Sequence, residues 1–128
     1  MKDYTTLSHC GIGEGIAEKL LTNRARYLKR NIAIRQTNMG TWAAWYKENS
    51  DLVTCSEPLA GFTVFPKYRN RLGSTKFAER LLKEEGVLVG SGDQFGVERH
   101  LRINVGNKGE TLSNGLERLG RFMRRILK

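Results

Sequence analysis

Arg102 stands in the stretch His-Leu-Arg-Ile-Asn-Val-Gly, residues 100–106. A guanidinium is a planar, permanently charged fork of N–H donors. It grips a carboxylate or a phosphate through two parallel hydrogen bonds. Leu101, Ile103 and Val105 alternate with Arg102 and Asn104, which is the period of a strand with one buried face. Arg102 therefore falls on the opposite face. There it is either simply hydrated or aimed at a ligand, with Asn104 beside it as polar support.

Other chemistry-bearing residues form weaker patterns. Gly-Ile-Gly-Glu-Gly at 11–15 looks like a phosphate loop but lacks the Gly-x-Gly-x-x-Gly spacing, a preceding strand and the Lys-Ser/Thr of a nucleotide loop. His9 and His100 have no acidic or cysteine partner at motif spacing, so both read as structural or exposed. Lys76 sits in the first turn of an amphipathic segment, off its apolar stripe. A Schiff-base lysine needs a lowered pKa, through burial or a neighbouring cation, and Lys76 reads instead as solvated. Cys10 and Cys55 match no metal or redox spacing. Reduced thiols are the plain reading, with a disulfide left open. The residues themselves thus point to no catalytic group, metal site or cofactor site.

The elements that must position Arg102 follow from the hydrophobic pattern. Ile12, Ile16, Ala17, Leu20 and Leu21 give a helix over 11–22. Thr22 or Asn23 offers an N-cap for a long helix over 24–48, with Leu28, Ile32, Met39, Trp42 and Tyr46 on one face and Arg35 interrupting that stripe. After Pro58, residues 62–65 form a short strand ended by Pro66, and 67–73 read as a basic loop. Ser74 or Thr75 caps a helix whose apolar face is Phe77, Ala78, Leu81 and Leu82, with Gly86 as its C-terminal glycine. Val87–Val89 form a second strand, residues 90–93 a turn, and 100–105 the third strand. The last helix starts near Asn107, spaced with Glu110 as a capping box. Its apolar stripe is Leu112, Leu116, Leu119, Met123 and Ile126. The expected fold is α+β: a two-layer small domain with a three-stranded, mainly antiparallel sheet, helices on one face, and a long helix leading in.

The 128 residues suffice for one compact domain that buries its own core. Hydrophobic residues make up 39% and charged residues 27%, which excludes disordered and fibrous classes. No apolar run approaches the ~18 residues of a membrane span, and the N-terminus lacks an apolar signal stretch, so a cytoplasmic protein is expected. The net charge is +9, with Arg121, Arg124, Arg125 and Lys128 crowding the last helix. Such a balance suits a polyanion partner or a protein whose acidic partner surface lies elsewhere. No aromatics interleave with the charges, so the cluster reads as a solvated face compatible with the helix dipole.

Three ordered stretches, Leu-Ala-Gly-Phe-Thr-Val-Phe-Pro-Lys-Tyr (59–68), residues 76–96 ending Gly-Asp-Gln-Phe-Gly, and residues 100–123 opening His-Leu-Arg-Ile-Asn-Val-Gly, occur at natural spacing. Together they make the chain resemble the C-terminal, small domain of fold-type I pyridoxal-phosphate-dependent aminotransferases of class I and II, the aspartate aminotransferase-like branch. The shared pattern is an aromatic-rich strand after a Pro-x-Gly-like turn, a helix ending Glu-Gly-Val, a strand into Gly-x-x-Phe-Gly, and an arginine strand before a closing helix. Asp-Tyr-Thr-Thr-Leu-Ser at 3–8 and the long helix after it also match the stretch that follows the family's cofactor domain.

The resemblance implies that Arg102 binds the substrate α-carboxylate, that Ala60 and Gly61 lie near the substrate, and that Tyr4–Ser8 lie near a dimer interface. It implies residues 1–23 as the trailing segment of the large cofactor domain and 24–128 as the small domain, joined by the long helix. In the family the lysine that binds the cofactor, the aspartate under its pyridinium nitrogen and the phosphate cradle all belong to the large domain, and no matching motif occurs here. Without that lysine there is no electron sink for amino transfer. The expectation is an enzyme part that grips amino acid and 2-oxo acid substrates, works with the large domain as a homodimer, and neither binds pyridoxal phosphate nor turns over alone. Apolar residues on the first helix should be exposed where the large domain packs. The alternative is a stand-alone basic module for nucleic acid or another polyanion.

Overall fold

The computed structural model describes residues 10–127, which fall into two compact units, one ending at Ala33 and the other beginning at Ile34. Helix α1 spans Gly11–Thr22 and α2 spans Arg24–Glu48. The Gly-Ile-Gly-Glu-Gly stretch thus opens a helix rather than a phosphate loop. Thr22 Oγ1 donates to the Glu18 carbonyl and Asn23 Nδ2 to the Lys19 carbonyl, both at 2.9 Å. These side chains close α1 instead of capping α2, hydrogen-bonding back to carbonyls one helical turn earlier. No residue of α1 is buried. Ile12, Ile16, Leu20 and Leu21 are all exposed, Ile12 at 77%.

The second unit holds the core. Strands β1 (Val53–Thr54) and β3 (Lys67–Tyr68) form one antiparallel pair. Strands β2 (Thr63–Val64), β5 (Leu101–Asn104) and β4 (Gly90–Ser91) form an antiparallel sheet with β5 in the middle. The β1–β3 pair was not expected. It arises because Tyr68, inside the supposed basic loop, is fully buried beside Val53. The segment Val87–Val89 is not a strand; pairing is confined to Gly90–Ser91, and Leu88 is 80% exposed.

Helices α3 (Ser74–Glu85) and α4 (Gly109–Ile126) complete the second layer. Phe77 and Leu81 of α3, and Leu112, Leu116, Leu119 and Met123 of α4, join Leu101, Ile103, Val105 and Val64 in one cluster. Each such side chain contributes roughly 1.5–3 kcal/mol on burial. Phe77 stacks on Tyr68 at 4.3 Å and meets Phe122 edge-on at 5.1 Å. Leu82 departs from the expected apolar face and stays 47% exposed.

The helix ends also differ from expectation. Neither Ser74 nor Thr75 caps α3. Gly73 occupies the N-cap, and the acceptor comes from outside the helix: Asp93 Oδ2 receives Thr75 N at 3.0 Å and Thr75 Oγ1 at 2.8 Å. Likewise α4 begins at Gly109 without a side-chain cap, so the Asn107–Glu110 box does not form. The Asn107 carbonyl instead accepts from Asn38 Nδ2 at 2.7 Å. The Gly86 terminus of α3 is as expected, left-handed at φ 67° with its N–H on the Leu82 carbonyl.

Candidate functional site

The site is built on the central strand. Thr63 pairs with Asn104 and Val64 with Ile103; Val105 N donates to the Phe62 carbonyl, and a bridge joins Lys67 to His100. The antiparallel register is therefore continuous from Phe62 to Lys67. Side chains alternate across a sheet, so Leu101, Ile103 and Val105 point into the core, as their burial shows. Thr63, Phe65 and Lys67 then share the outer face with Asn104, Arg102 and His100. Arg102 is exposed there, as its position in the pattern requires.

Three neighbours shape Arg102. Gly90 is its partner on β4, and a Cβ at Gly90 would come within 3.1 Å of the Arg102 Cβ. The bare glycine leaves room for the arginine stem. The Phe95 ring centroid lies 5.9 Å from Arg102 Cζ. Phe65 meets Phe95 edge-on at 6.0 Å and stacks on His100 at 5.0 Å. No acidic group among the described residues pairs with Arg102. Asn104 is partly committed: its Oδ1 accepts from Gly106 N at 2.7 Å.

Ala60 and Gly61 are exposed on the turn that enters β2. Gly61 is left-handed at φ 77°, a conformation that favours glycine. Arg35, the residue that breaks the apolar stripe of α2, holds this turn. It donates from Nε to the Gly61 carbonyl at 3.0 Å and from Nη2 to the Pro58 carbonyl at 2.7 Å. By the register, Gly61 stands level with Gly106, four residues along from Arg102. At about 3.4 Å per residue that is about 14 Å. Arg102, level with Phe65, and the Gly61 turn thus lie well apart along one exposed ladder.

The remaining candidates stay apart from this ladder. Lys76 is exposed on α3, while His9 and Tyr4–Ser8 lie outside the described residues. Cys10 and Cys55 are both free thiols, and burial pushes the Cys55 thiol up, against a nucleophilic thiolate. Two members of the basic cluster on α4 are already paired: Arg121 with Glu85 at 2.8 Å, and Arg125 with Glu84 and Glu85 at 2.7 Å. Glu84, chiefly through Arg80, and Glu85, chiefly through Arg121, are held below the usual carboxylate range. No three His, Cys, Asp or Glu groups converge as a metal site among the described residues.

Arg35, Phe65 and Phe95 were missed as site residues from sequence. The signal for Arg35 was its intrusion into an apolar stripe. Phe65 and Phe95 carried none, because an aromatic in or beside a strand ordinarily belongs to the core.

The family model for "Aminotransferase class I and II" matches residues 13–119. The chain belongs to the class I and II aminotransferase family. Among curated relatives of this chain, capreomycidine synthase of Streptomyces vinaceus is 28% identical over 91% of the chain and 30% of its own length. The aspartate/prephenate aminotransferase of Cereibacter sphaeroides is 26% identical over 95% and 33%. A pyridoxal-phosphate-dependent aminotransferase from Streptococcus suis superimposes with a TM-score of 0.90 at 31% identity, over 99% of the chain and 34% of that protein. The chain therefore spans about a third of the length of these relatives.

The described residues do not assemble a pyridoxal phosphate site. Their lysines are all exposed. The larger cleft, about 590 Å³, is lined by Val87, Leu88, Val89 and the first turns of α4, and holds no lysine. The smaller, about 320 Å³, includes Lys67 and His100 but no carboxylate to pair a pyridinium nitrogen. No helix among the described residues is long and apolar enough to cross a membrane.

Proposed function

We propose that this chain is the substrate-carboxylate-binding small domain of a pyridoxal-phosphate-dependent aminotransferase. The supporting observation is Arg102: a charged fork on the exposed face of the central strand, with its stem over Gly90 and no acidic group among the described residues paired with it. In this reading two N–H groups on one edge of the Arg102 guanidinium take the α-carboxylate of an amino acid or 2-oxo acid. The turn at Ala60–Gly61, fixed by Arg35, bounds the other end of the ligand space. The guanidinium orients the substrate; the electron sink that transamination needs comes from the cofactor, held by a large domain that these residues do not supply. Residues 24–128 form the small domain, 1–23 belong with the large domain, and the exposed apolar face of α1 packs there. The working enzyme is a homodimer, and the chain by itself is inactive.

The polyanion reading is weaker, because Glu84 and Glu85 already take up Arg121 and Arg125. The test replaces the matching third of the Streptococcus suis enzyme with this chain and compares it with its Arg102→Ala variant. Both grafts should retain the cofactor absorbance. The amino-acid KM should rise at least about tenfold in the variant, since a hydrogen bond to a charged group carries about 1.5–3 kcal/mol. An unchanged KM would sink the assignment. The free chain, treated with pyridoxal phosphate and borohydride, should show no single stoichiometric lysine adduct; one such adduct would overturn the division of labour.

A further inference from the structure

We infer that Phe95 is a positioning residue that presets the Arg102 fork for an incoming carboxylate. The inference rests on the carboxylate-binding role proposed for Arg102. An arginine side chain carries about 2 kcal/mol of rotamer entropy, which an unrestrained fork must lose on binding. Arg102 has no hydrogen-bonded partner among the described residues to restrain it. What it has is a ring: Phe95 lies 5.9 Å from Cζ, within cation–π range.

Phe95 is itself an anomaly. It is 53% exposed and contributes little to the core, so its burial does not account for a phenylalanine at this place. Its ring is fixed from behind, edge-on against Phe65 at 6.0 Å, and Phe65 is fixed by stacking on His100 at 5.0 Å. The backbone is fixed too. Residues Gly92–Phe95 form one 3-10 turn ending at left-handed Gly96, whose N–H bonds the Asp93 carbonyl. Gly90, two residues before that turn, leaves the space in which the arginine stem lies. One short segment, 90–96, thus supplies both the gap for the stem and the ring for the head. A guanidinium lying over a ring can present its plane to that ring while a carboxylate takes its N–H groups in the plane. The two contacts do not compete, and an aromatic neighbour can hold the fork without occupying it.

The test uses the full chain with arginine labelled at Nε with nitrogen-15, as wild type, Phe95→Leu and Phe95→Trp. Pyruvate is the carboxylate probe. In Phe95→Leu the Arg102 Nε–Hε signal should lose its ring-current shift, its order parameter should fall, and the pyruvate dissociation constant at Arg102 should rise about two- to fivefold. Phe95→Trp should restore both order and affinity, which a merely space-filling role does not predict. An Arg102 order parameter and pyruvate affinity unchanged by Phe95→Leu would overturn the inference. Pyruvate failing to shift Arg102 in the wild-type chain, while Phe95→Leu still loosens the fork, would instead count against the carboxylate role and leave the positioning intact.

Discussion

Arg35 Nε lies 3.0 Å from the Gly61 carbonyl oxygen, and the other arm of the same guanidinium donates to the Pro58 carbonyl at 2.7 Å. One side chain of α2 therefore clasps a turn more than twenty residues away. Gly61 reaches its left-handed conformation and Phe62 enters β2 from that clasp. The turn has few other means of support: Leu59, Ala60 and Gly61 are all exposed.

Arg35→Met keeps the apolar stem and removes both charge-assisted bonds. The expected loss is about 1–2 kcal/mol, the value for bonds to a charged donor after allowance for partial exposure. Urea unfolding should show a lower midpoint with an unchanged slope. Arg35→Lys should recover less than half, because a point charge cannot span two carbonyls as a planar fork does. A midpoint equal to wild type in both variants would mean that the turn holds itself.

Asp93 gives the fold a pH dependence of definite sign. Hydrogen bonds from the Thr75 hydroxyl and backbone hold its carboxyl below the usual range. A carboxylate with a lowered folded-state pKa stabilises fully above its unfolded value, about 3.9. That contribution disappears as pH falls from there through the folded value. Asp93→Asn should therefore lower the unfolding midpoint at pH 7, and its deficit against wild type should shrink as pH falls below the unfolded value and through the lowered folded one. Glu84 and Glu85, also lowered, add the same trend to both proteins and cancel in the comparison. A deficit that stayed constant with pH would show that Asp93 acts through shape rather than charge.

These cases show which parts of the fold were legible in advance. The Leu101–Val105 alternation named both the buried face and the face of Arg102, because a strand obeys a period of two and one face must be dry. Gly86 was legible because a left-handed helix terminus has few other solutions. The caps of α3 and α4 were not. A local Ser/Thr or Asn/Glu pattern says that a cap is available, whereas α3 takes its acceptor from distant Asp93 and α4 starts without a side-chain cap, its approach held by Asn38 donating to the Asn107 carbonyl. The β1–β3 pair was hidden for a similar reason: two residues on each side give no periodicity, and the pairing exists because Tyr68 and Val53 are drawn into the core. In the site, Arg102 stood out by its position in a pattern. Arg35, Phe65 and Phe95 owe their roles to neighbours that only the folded chain brings close.

Asn38 is the clearest hidden polar residue. It is 2% exposed, and its Nδ2 donates to the Val105 and Asn107 carbonyls, both at 2.7 Å. It thereby ties α2 to the end of β5 and to the approach to α4. Asn38→Ala should cost about 1–3 kcal/mol, the loss for leaving the buried Val105 carbonyl without its donor. Asn38→Asp should be worse than the alanine variant at neutral pH, because a carboxylate would face two carbonyl oxygens. Thermal unfolding ranks the three proteins, and amide exchange should report the loosening at residues 105–108 first. An aspartate variant as stable as wild type would show that the amide bonds are incidental to the packing of Trp42 nearby in the same core.

Arg102→Lys separates charge from geometry at the proposed site. Arg102 is exposed, so the substitution should change stability by less than about 0.5 kcal/mol. Binding is another matter. Lysine retains the positive charge but is a compact point donor on a flexible stem, without the in-plane pair of N–H groups that matches a carboxylate. Lysine also presents no guanidinium plane for the Phe95 ring to face. In the grafted aminotransferase the amino-acid KM should rise about tenfold for Arg102→Lys and further for Arg102→Ala, with the cofactor absorbance unchanged in both. If lysine matched arginine, the face would be attracting anions by net charge alone. The fork, the glycine beneath its stem and the ring beside its head would then have no part in recognition. If lysine were as poor as alanine, nearly all of the recognition would lie in the planar geometry that Gly90 and Phe95 frame.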